Sequence, residues 1–269
     1  MLTPIKSDLD YNNYMKINLL KILLIFVLCF SQSVSASQVL PKDIIKHTVI
    51  INAPTTGEVG KTYFYCRNGN KCSTEQVARE YYKNKGYSVM RAEYAFWKGM
   101  FILTFLDELY PANHYTSYGK TGIFHDMELY KEQQEDLIKK GAHIKNTDLK
   151  EFINLQIKKH EAGAYIRDLD EWELESYKNP TEYFKSSIVQ EFLTRIDNKT
   201  FYKVVNRILQ DRKNNTVGTP DYIVWNKKEL IFVEVKREKE KLSEDQITWA
   251  EFLIQNKISY NVIRVVRQY

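Results

Sequence analysis

Two runs rich in β-branched and aromatic residues, Tyr222-Ile-Val-Trp225 and Leu230-Ile-Phe-Val-Glu-Val235, are separated by the polar Asn226-Lys-Lys-Glu229. The pattern predicts an antiparallel hairpin. It constrains the fold more than any other stretch, because a hairpin fixes which residues face each other. With the turn centred between Lys227 and Lys228, Asp221 falls opposite Glu234, and facing Cβ atoms lie roughly 5 Å apart. Strand side chains alternate, so Glu234 and Lys236 share one face while Val233 and Val235 point to the other. Two carboxylates and one ammonium therefore converge on one spot.

Carboxylates this close repel unless a proton or a cation lies between them, and hard oxygen donors in that arrangement suit Mg²⁺ or Mn²⁺. A lysine beside them would hold a water or stabilise charge developing on a phosphate. The same residues also read as a turn aspartate after Thr219-Pro220 followed by a solvated, mixed-charge strand face. The hairpin alone leaves both readings open.

The surroundings carry a resemblance. Gly218-Thr-Pro-Asp-Tyr-Ile-Val-Trp-Asn226, then Phe232-Val-Glu-Val-Lys236, then Leu242-Ser243 with Gln246 and Trp249, resembles the VRR-NUC branch of the PD-(D/E)XK nucleases. Within that branch it is most similar to the nuclease domain of Fanconi-associated nucleases. Upstream, Glu75, Tyr81-Tyr82, Gly86-Tyr87 and Glu93 resemble that family's first helix and the acidic residue ending its first strand, so the likeness spans about residues 73 to 266.

The resemblance implies a PD-(D/E)XK, restriction-endonuclease-like α/β core with a mixed central sheet, flanking helices and a large helical insertion. It implies hydrolysis of DNA phosphodiester bonds with Mg²⁺ or Mn²⁺, RNA staying open as a substrate. Glu93, Asp221 and Glu234 would ligate the metal, the Val235 carbonyl adding a further ligand, and Lys236 would be the catalytic lysine. Gln246 corresponds to the family's supporting glutamine, and it also stands three residues after Ser243, where it completes a capping box. Glu75 is a second supporting candidate, although an acid in the first turn of a helix capped by Ser73 is expected for dipole reasons alone. The competing function is a catalytically silent, exported nucleic-acid-binding module on a nuclease scaffold.

The chain has 269 residues and a formal charge of +5, a mild balance that suits a polyanion without demanding one. From Met15, an alternative start, Lys16 and Lys21 precede the apolar Ile22–Phe30 and a Val34-Ser-Ala36 cleavage pattern, which together describe a signal peptide over residues 1–36. The apolar stretch falls short of the ~20 residues a spanning helix needs. The expectation is a secreted or periplasmic protein with no stable membrane span after cleavage, an uncleaved anchor being the minor alternative. Of the three cysteines, Cys29 would leave with the leader, and Cys66 and Cys72, flanking a turn, would form a disulfide.

A lead-in of residues 37–72 precedes the nuclease domain of residues 73–269, whose helical insertion covers about 94–217. Within the lead-in, Thr48–Ile51 is strand-like. Gly57-Glu-Val-Gly60-Lys61-Thr62 brushes against a phosphate-binding loop, but Thr55 stands where the leading glycine belongs and no helix follows, so no nucleotide cofactor is expected. Helix Ser73–Lys85, strands Tyr87–Glu93, Leu230–Arg237 and Tyr260–Val266, and helix Ser243–Asn256 complete the expected frame. Lys131, Lys139, Lys140, Lys158 and Lys159 stand among aromatics in the insertion, a composition shared by nucleic-acid grooves and ordinary helix surfaces. The five histidines form no HExxH and no Gly-x-Ser-x-Gly occurs, so neither a zinc hydrolase nor a serine hydrolase is supported.

Overall fold

The structure, a computed structural model, describes residues 41–58, 61–66, 69–109, 137–139, 141, 144–161 and 180–268. The expected leader, Cys29, Lys131 and Lys140 lie outside the described residues.

In chain order, helix α1 (Pro41–Lys46) leads into strands β1 (Thr48–Glu58), β2 (Lys61–Tyr65) and β3 (Lys71–Cys72). Helix α2 (Thr74–Asn84) and strand β4 (Ser88–Arg91) follow. A helical stretch comes next: α3 (Tyr94–Thr104), α4 (Leu106–Leu109), α5 (Leu149–Glu161), α6 (Pro180–Lys185), α7 (Ser187–Arg195), α8 (Asn198–Gln210) and α9 (Arg212–Asn215). The chain returns to the sheet through β5 (Tyr222–Trp225), β6 (Leu230–Arg237), helix α10 (Glu244–Gln255) and β7 (Tyr260–Gln268).

The strand order is β3-β2-β1-β7-β6-β5-β4. β4, β5 and β6 run antiparallel to one another, while β7 pairs in parallel with both β6 and β1, so the sheet is mixed. Tyr222 stands opposite Val233 and Trp225 opposite Leu230. This is the hairpin register the sequence predicts; the ladder ends at Tyr222, and Asp221, just before it, reaches β6 through the Val235 N–H.

Alternation divides the hairpin between two cores. Ile223, Trp225 and Phe232 pack with Phe96, Trp97, Phe192 and Trp249 from α3, α7 and α10. Trp97 stacks on Phe232 with ring centroids 5.9 Å apart and planes at 14°. Tyr222, Val224, Ile231, Val233 and Val235 face the other way, toward Val77, Ala78 and Tyr82 of α2. Glu234 and Lys236 thus share the Phe232 face, buried among helices rather than turned to water.

Both predicted capping boxes form: Ser73 exchanges hydrogen bonds with Gln76 at the start of α2, and Ser243 with Gln246 at the start of α10. Each satisfies two backbone donors that a helix start leaves unpaired.

The lead-in departs from expectation. The extended run continues past Ile51 to Glu58, first beside β7 and then beside β2. Pro54 is tolerated because it lies where β1 exchanges one partner for the other, at a margin of the ladder. Gly57 faces Thr62 and Glu58 faces Lys61 in the β1–β2 ladder, so the described residues of this stretch are strand. β4 is shorter than the Tyr87–Glu93 expected, because the chain turns after Arg91 and Glu93 becomes the N-cap of α3. Lys159 pairs with Asp107 at 2.6 Å, which places it on a helix surface. Cys66 and Cys72 face each other with Cα atoms 5.6 Å apart, a span that a disulfide bridges. Among the described residues no helix is long and apolar enough to cross a membrane.

Candidate active site

The approach to Asp221 is set by a glycine. Gly218 has φ +73°, and a Cβ there would lie 2.6 Å from the Asp245 backbone carbonyl carbon and 2.8 Å from the Gln246 nitrogen. Only a residue without a side chain lets the start of α10 press against this segment. Trp249 of the same helix pins it from the next turn, its indole N–H donating to the Val217 carbonyl at 2.9 Å. Helix α10 and the Asp221 segment are therefore fixed to each other before any acidic residue is considered.

That docking brings Gln246 to Glu234. Gln246 uses Oε1 to accept the Ser243 backbone N–H at 2.9 Å and Nε2 to donate to Glu234 Oε1 at 2.5 Å. Capping residue and supporting glutamine are one side chain with both ends occupied. On β6, Lys236 Nζ lies 2.9 Å from the same Glu234 oxygen, with both side chains almost wholly buried. Asp221 accepts the Val235 backbone N–H at 2.6 Å, which ties the entry of β5 to β6 beyond the regular ladder. The Asp221 carbonyl accepts from Ala92 N–H at 2.9 Å and so holds the end of β4 alongside, one residue before Glu93.

Burial and mutual repulsion govern the charges. Loss of solvent, followed by the charge of Glu234, pushes Asp221 up to about 8, while the Val235 N–H acts in the opposite sense. Glu93, nearby, raises it further. Burial likewise pushes Glu234 up to about 7 against the lowering effect of Lys236. Burial pulls Lys236 down, but its pairing with Glu234 and Glu240 outweighs that and the ammonium is held above its usual range. The site has an excess of buried acid over buried base.

Glu93 is engaged elsewhere. It is half-exposed, and its carboxylate is clamped by Arg91, whose Nη2 lies 2.6 Å from Glu93 Oε2. Among the described residues no three histidine, cysteine or acidic side chains already stand as a metal cage. The donor set nonetheless fits a hard divalent cation, since Asp221 and Glu234 are desolvated carboxylates with raised pKa and Glu93 borders the same cleft as Asp221. Closure would need Glu93 to leave Arg91. Glu75 lines the same open cleft of about 510 Å³ with Arg79, Arg91, Glu93, Asp221 and Tyr222. Its backbone carbonyl accepts from the Tyr222 hydroxyl at 3.3 Å.

Sequence reasoning missed three residues here. Glu240 stands 3.3 Å from Lys236 Nζ, and its carboxylate also accepts the Arg237 N–H at 3.2 Å. Its loop is held by Arg264, which donates to the Glu240 carbonyl at 2.7 Å. The i, i+4 spacing of Lys236 and Glu240 was readable, but it crosses a strand end where helical spacing carries no weight. Arg91, two residues before Glu93 on an exposed strand end, gave no signal. Tyr260 is buried with its hydroxyl unpartnered among the described residues, and burial plus the charges of Glu234 and Asp221 keep it protonated.

Residues 159–267 match the model of the VRR-NUC domain. The matched residues include Asp221, Glu234, Lys236 and Gln246, while Glu75 and Glu93 precede them. The chain is similar to the Fanconi-associated nuclease 1 homolog of Schizosaccharomyces pombe, 24% identical over 212 residues that cover 76% of this chain and 29% of that protein. The Arabidopsis thaliana homolog is 24% identical over 220 residues, covering 77% of this chain and 24% of the relative. The chain thus spans less than a third of the length of these two relatives. Among solved structures, paFAN1 bound to a 2-nucleotide 5′-flap DNA with a gap superposes with TM-score 0.56 at 15% identity, over 83% of this chain and 38% of that one. The complex with a 1-nucleotide flap gives TM-score 0.54 at 20% identity over the same shares. The likeness is one of fold: a mixed sheet flanked by helices, which fits a PD-(D/E)XK-like core.

Proposed function

We propose that this chain is a metal-dependent nuclease that hydrolyses phosphodiester bonds of DNA. The observation that carries the reading is the joint placement of Glu234 and Lys236 on one face of β6 and of Asp221 against it through the Val235 N–H, with Gln246 fixing Glu234 from α10. Asp221, Glu234 and Glu93 would hold Mg²⁺ or Mn²⁺, the Val235 carbonyl being a further donor at the same turn of β6. When bound, the cation would polarise the scissile phosphate and make its bound water acidic enough to attack.

The chain's own groups do the rest. Lys236, kept cationic by Glu234 and Glu240, orients the attacking water or balances charge on the phosphate. Gln246 and Lys236 together hold one Glu234 oxygen, so the orientation of the carboxylate is fixed. Substrate enters through the cleft beside α2, where Glu75 sits in the wall.

The leader read over residues 1–36 supports export to the periplasm or medium, the separation of Cys66 and Cys72 supports a disulfide suited to that setting, and residues 73–269 form the nuclease domain. Calorimetric titration of Mn²⁺ into wild type, Glu93→Gln and Asp221→Asn tests the ligand assignment: wild type binds and both variants lose most of the affinity. Equal Mn²⁺ binding by all three would remove these carboxylates from the metal site.

A further inference from the structure

The cleft holds two guanidinium groups that the proposed chemistry does not use. Arg79 lies one helical turn beyond Glu75 on α2, so both stand on the cleft side of the helix. It is exposed and makes no ion pair or hydrogen bond with any described residue. Arg91 stands opposite Tyr222 in the sheet ladder and reaches Glu93 through both Nε, at 3.1 Å, and Nη2. Both arginines bear on the buried Tyr222 hydroxyl, whose pKa burial raises to about 12 and their charges draw back. The two cations therefore border the same space from two walls, α2 and the end of β4.

Charge in the cleft depends on whether a cation is present. With Asp221 held protonated, Glu75 and Glu93 balance the two guanidiniums, so the cation-free cleft offers a phosphodiester no net attraction. A divalent ion makes the balance positive, even after Asp221 gives up its proton. It also competes for Glu93, which now pairs with Arg91, and a guanidinium losing a carboxylate finds in a phosphate an acceptor suited to its fork of donors.

We propose that Arg79 and Arg91 form a phosphate clamp in this cleft, with Arg91 exchanging Glu93 for a nucleic-acid phosphate oxygen when a divalent cation claims Glu93. The exchange couples metal and substrate: Arg91 holds the third carboxylate away from the metal site when the cation is absent and grips the backbone when it is present. The inference rests on the nuclease reading of the same site.

The test uses the full chain, a fluorescein-labelled DNA duplex read by anisotropy with Ca²⁺ or EDTA, and Mn²⁺ calorimetry without DNA. Arg79→Ala weakens duplex binding about tenfold in Ca²⁺ and lowers the slope of log affinity against log salt by about one. Arg91→Ala shows the same loss in Ca²⁺ but little change in EDTA, and it binds Mn²⁺ several-fold more tightly because Glu93 is free. Arg91→Lys keeps the charge and recovers only part of the affinity. Unchanged duplex affinity of both alanine variants in Ca²⁺ would overturn the clamp, and an equal loss for Arg91→Ala in Ca²⁺ and EDTA would overturn the exchange. Thermal melts confirm that the variants are folded. Cleavage by wild type with either arginine result keeps the nuclease reading, whereas absence of cleavage removes that reading whatever the arginines do.

Discussion

Asp221→Asn should make the cation-free protein more stable at alkaline pH while abolishing function. The Asp221 carboxyl is held up to about 8 in the fold by burial and by Glu234, against an ordinary value of 3.8 when unfolded. A raised acid favours the folded state in its protonated form, so its contribution is fully present below the unfolded pKa and is lost as pH rises through the folded one. From pH 7 to pH 9 that loss is about 1.4 kcal/mol, the equivalent of one pK unit. For a domain of this size it lowers Tm by roughly 3 to 6 °C. Glu234, raised to about 7, acts in the same direction slightly lower on the pH scale. Asparagine keeps an oxygen for the Val235 N–H but carries no charge to desolvate, so its Tm in EDTA should vary much less over this interval and exceed that of wild type at pH 9. Saturating Mn²⁺ should flatten the wild-type profile, because the cation replaces the proton. The measurement is a set of melts in EDTA and in Mn²⁺ from pH 6 to 9. A wild-type Tm in EDTA that does not fall, or an equal fall in Asp221→Asn, would refute the claim that burial of this carboxylate strains the fold.

Three further outcomes follow from the geometry. Gly218→Ala should cost about 2 to 4 kcal/mol, combining a left-handed φ with a backbone clash against α10, and a chemical denaturation curve matching wild type would remove the docking role of Gly218. Gln246→Ala should lose the α10 cap, worth about 1 kcal/mol, and should also reduce turnover, whereas Ser243→Ala should weaken the cap with turnover nearly kept; equal kinetic effects would show that Gln246 acts only as a cap. Reduction and alkylation of the purified protein should add two alkyl groups at Cys66 and Cys72, and complete alkylation without reductant would exclude the disulfide.

The site was legible where local rules are strict. The register of the Tyr222–Trp225 and Leu230–Arg237 strands follows from the turn position, and alternation then puts Glu234 and Lys236 on one face. The caps at Ser73 and Ser243 follow from their spacing to Gln76 and Gln246. Legibility ended where tertiary contacts decide. Nothing local says that β1 runs parallel beside β7, since that pairing joins residues some 200 positions apart. Burial of Glu234 could not be read from a strand that looks amphipathic: helices cover its polar face as well as its apolar one. The Arg91–Glu93 pairing depends on the turn after β4, where the chain leaves the strand two residues before the sequence pattern ends.

The central claim is tested most directly by cleavage. Supercoiled plasmid and end-labelled linear duplex, with an RNA control, are incubated with wild type, Asp221→Ala and Lys236→Ala in Mg²⁺, Mn²⁺ or EDTA. The account expects wild type to cut DNA only with a divalent cation, and both folded variants to be slower by on the order of a hundredfold or more. Cleavage that persists in EDTA, or undiminished cleavage by both variants, would contradict it.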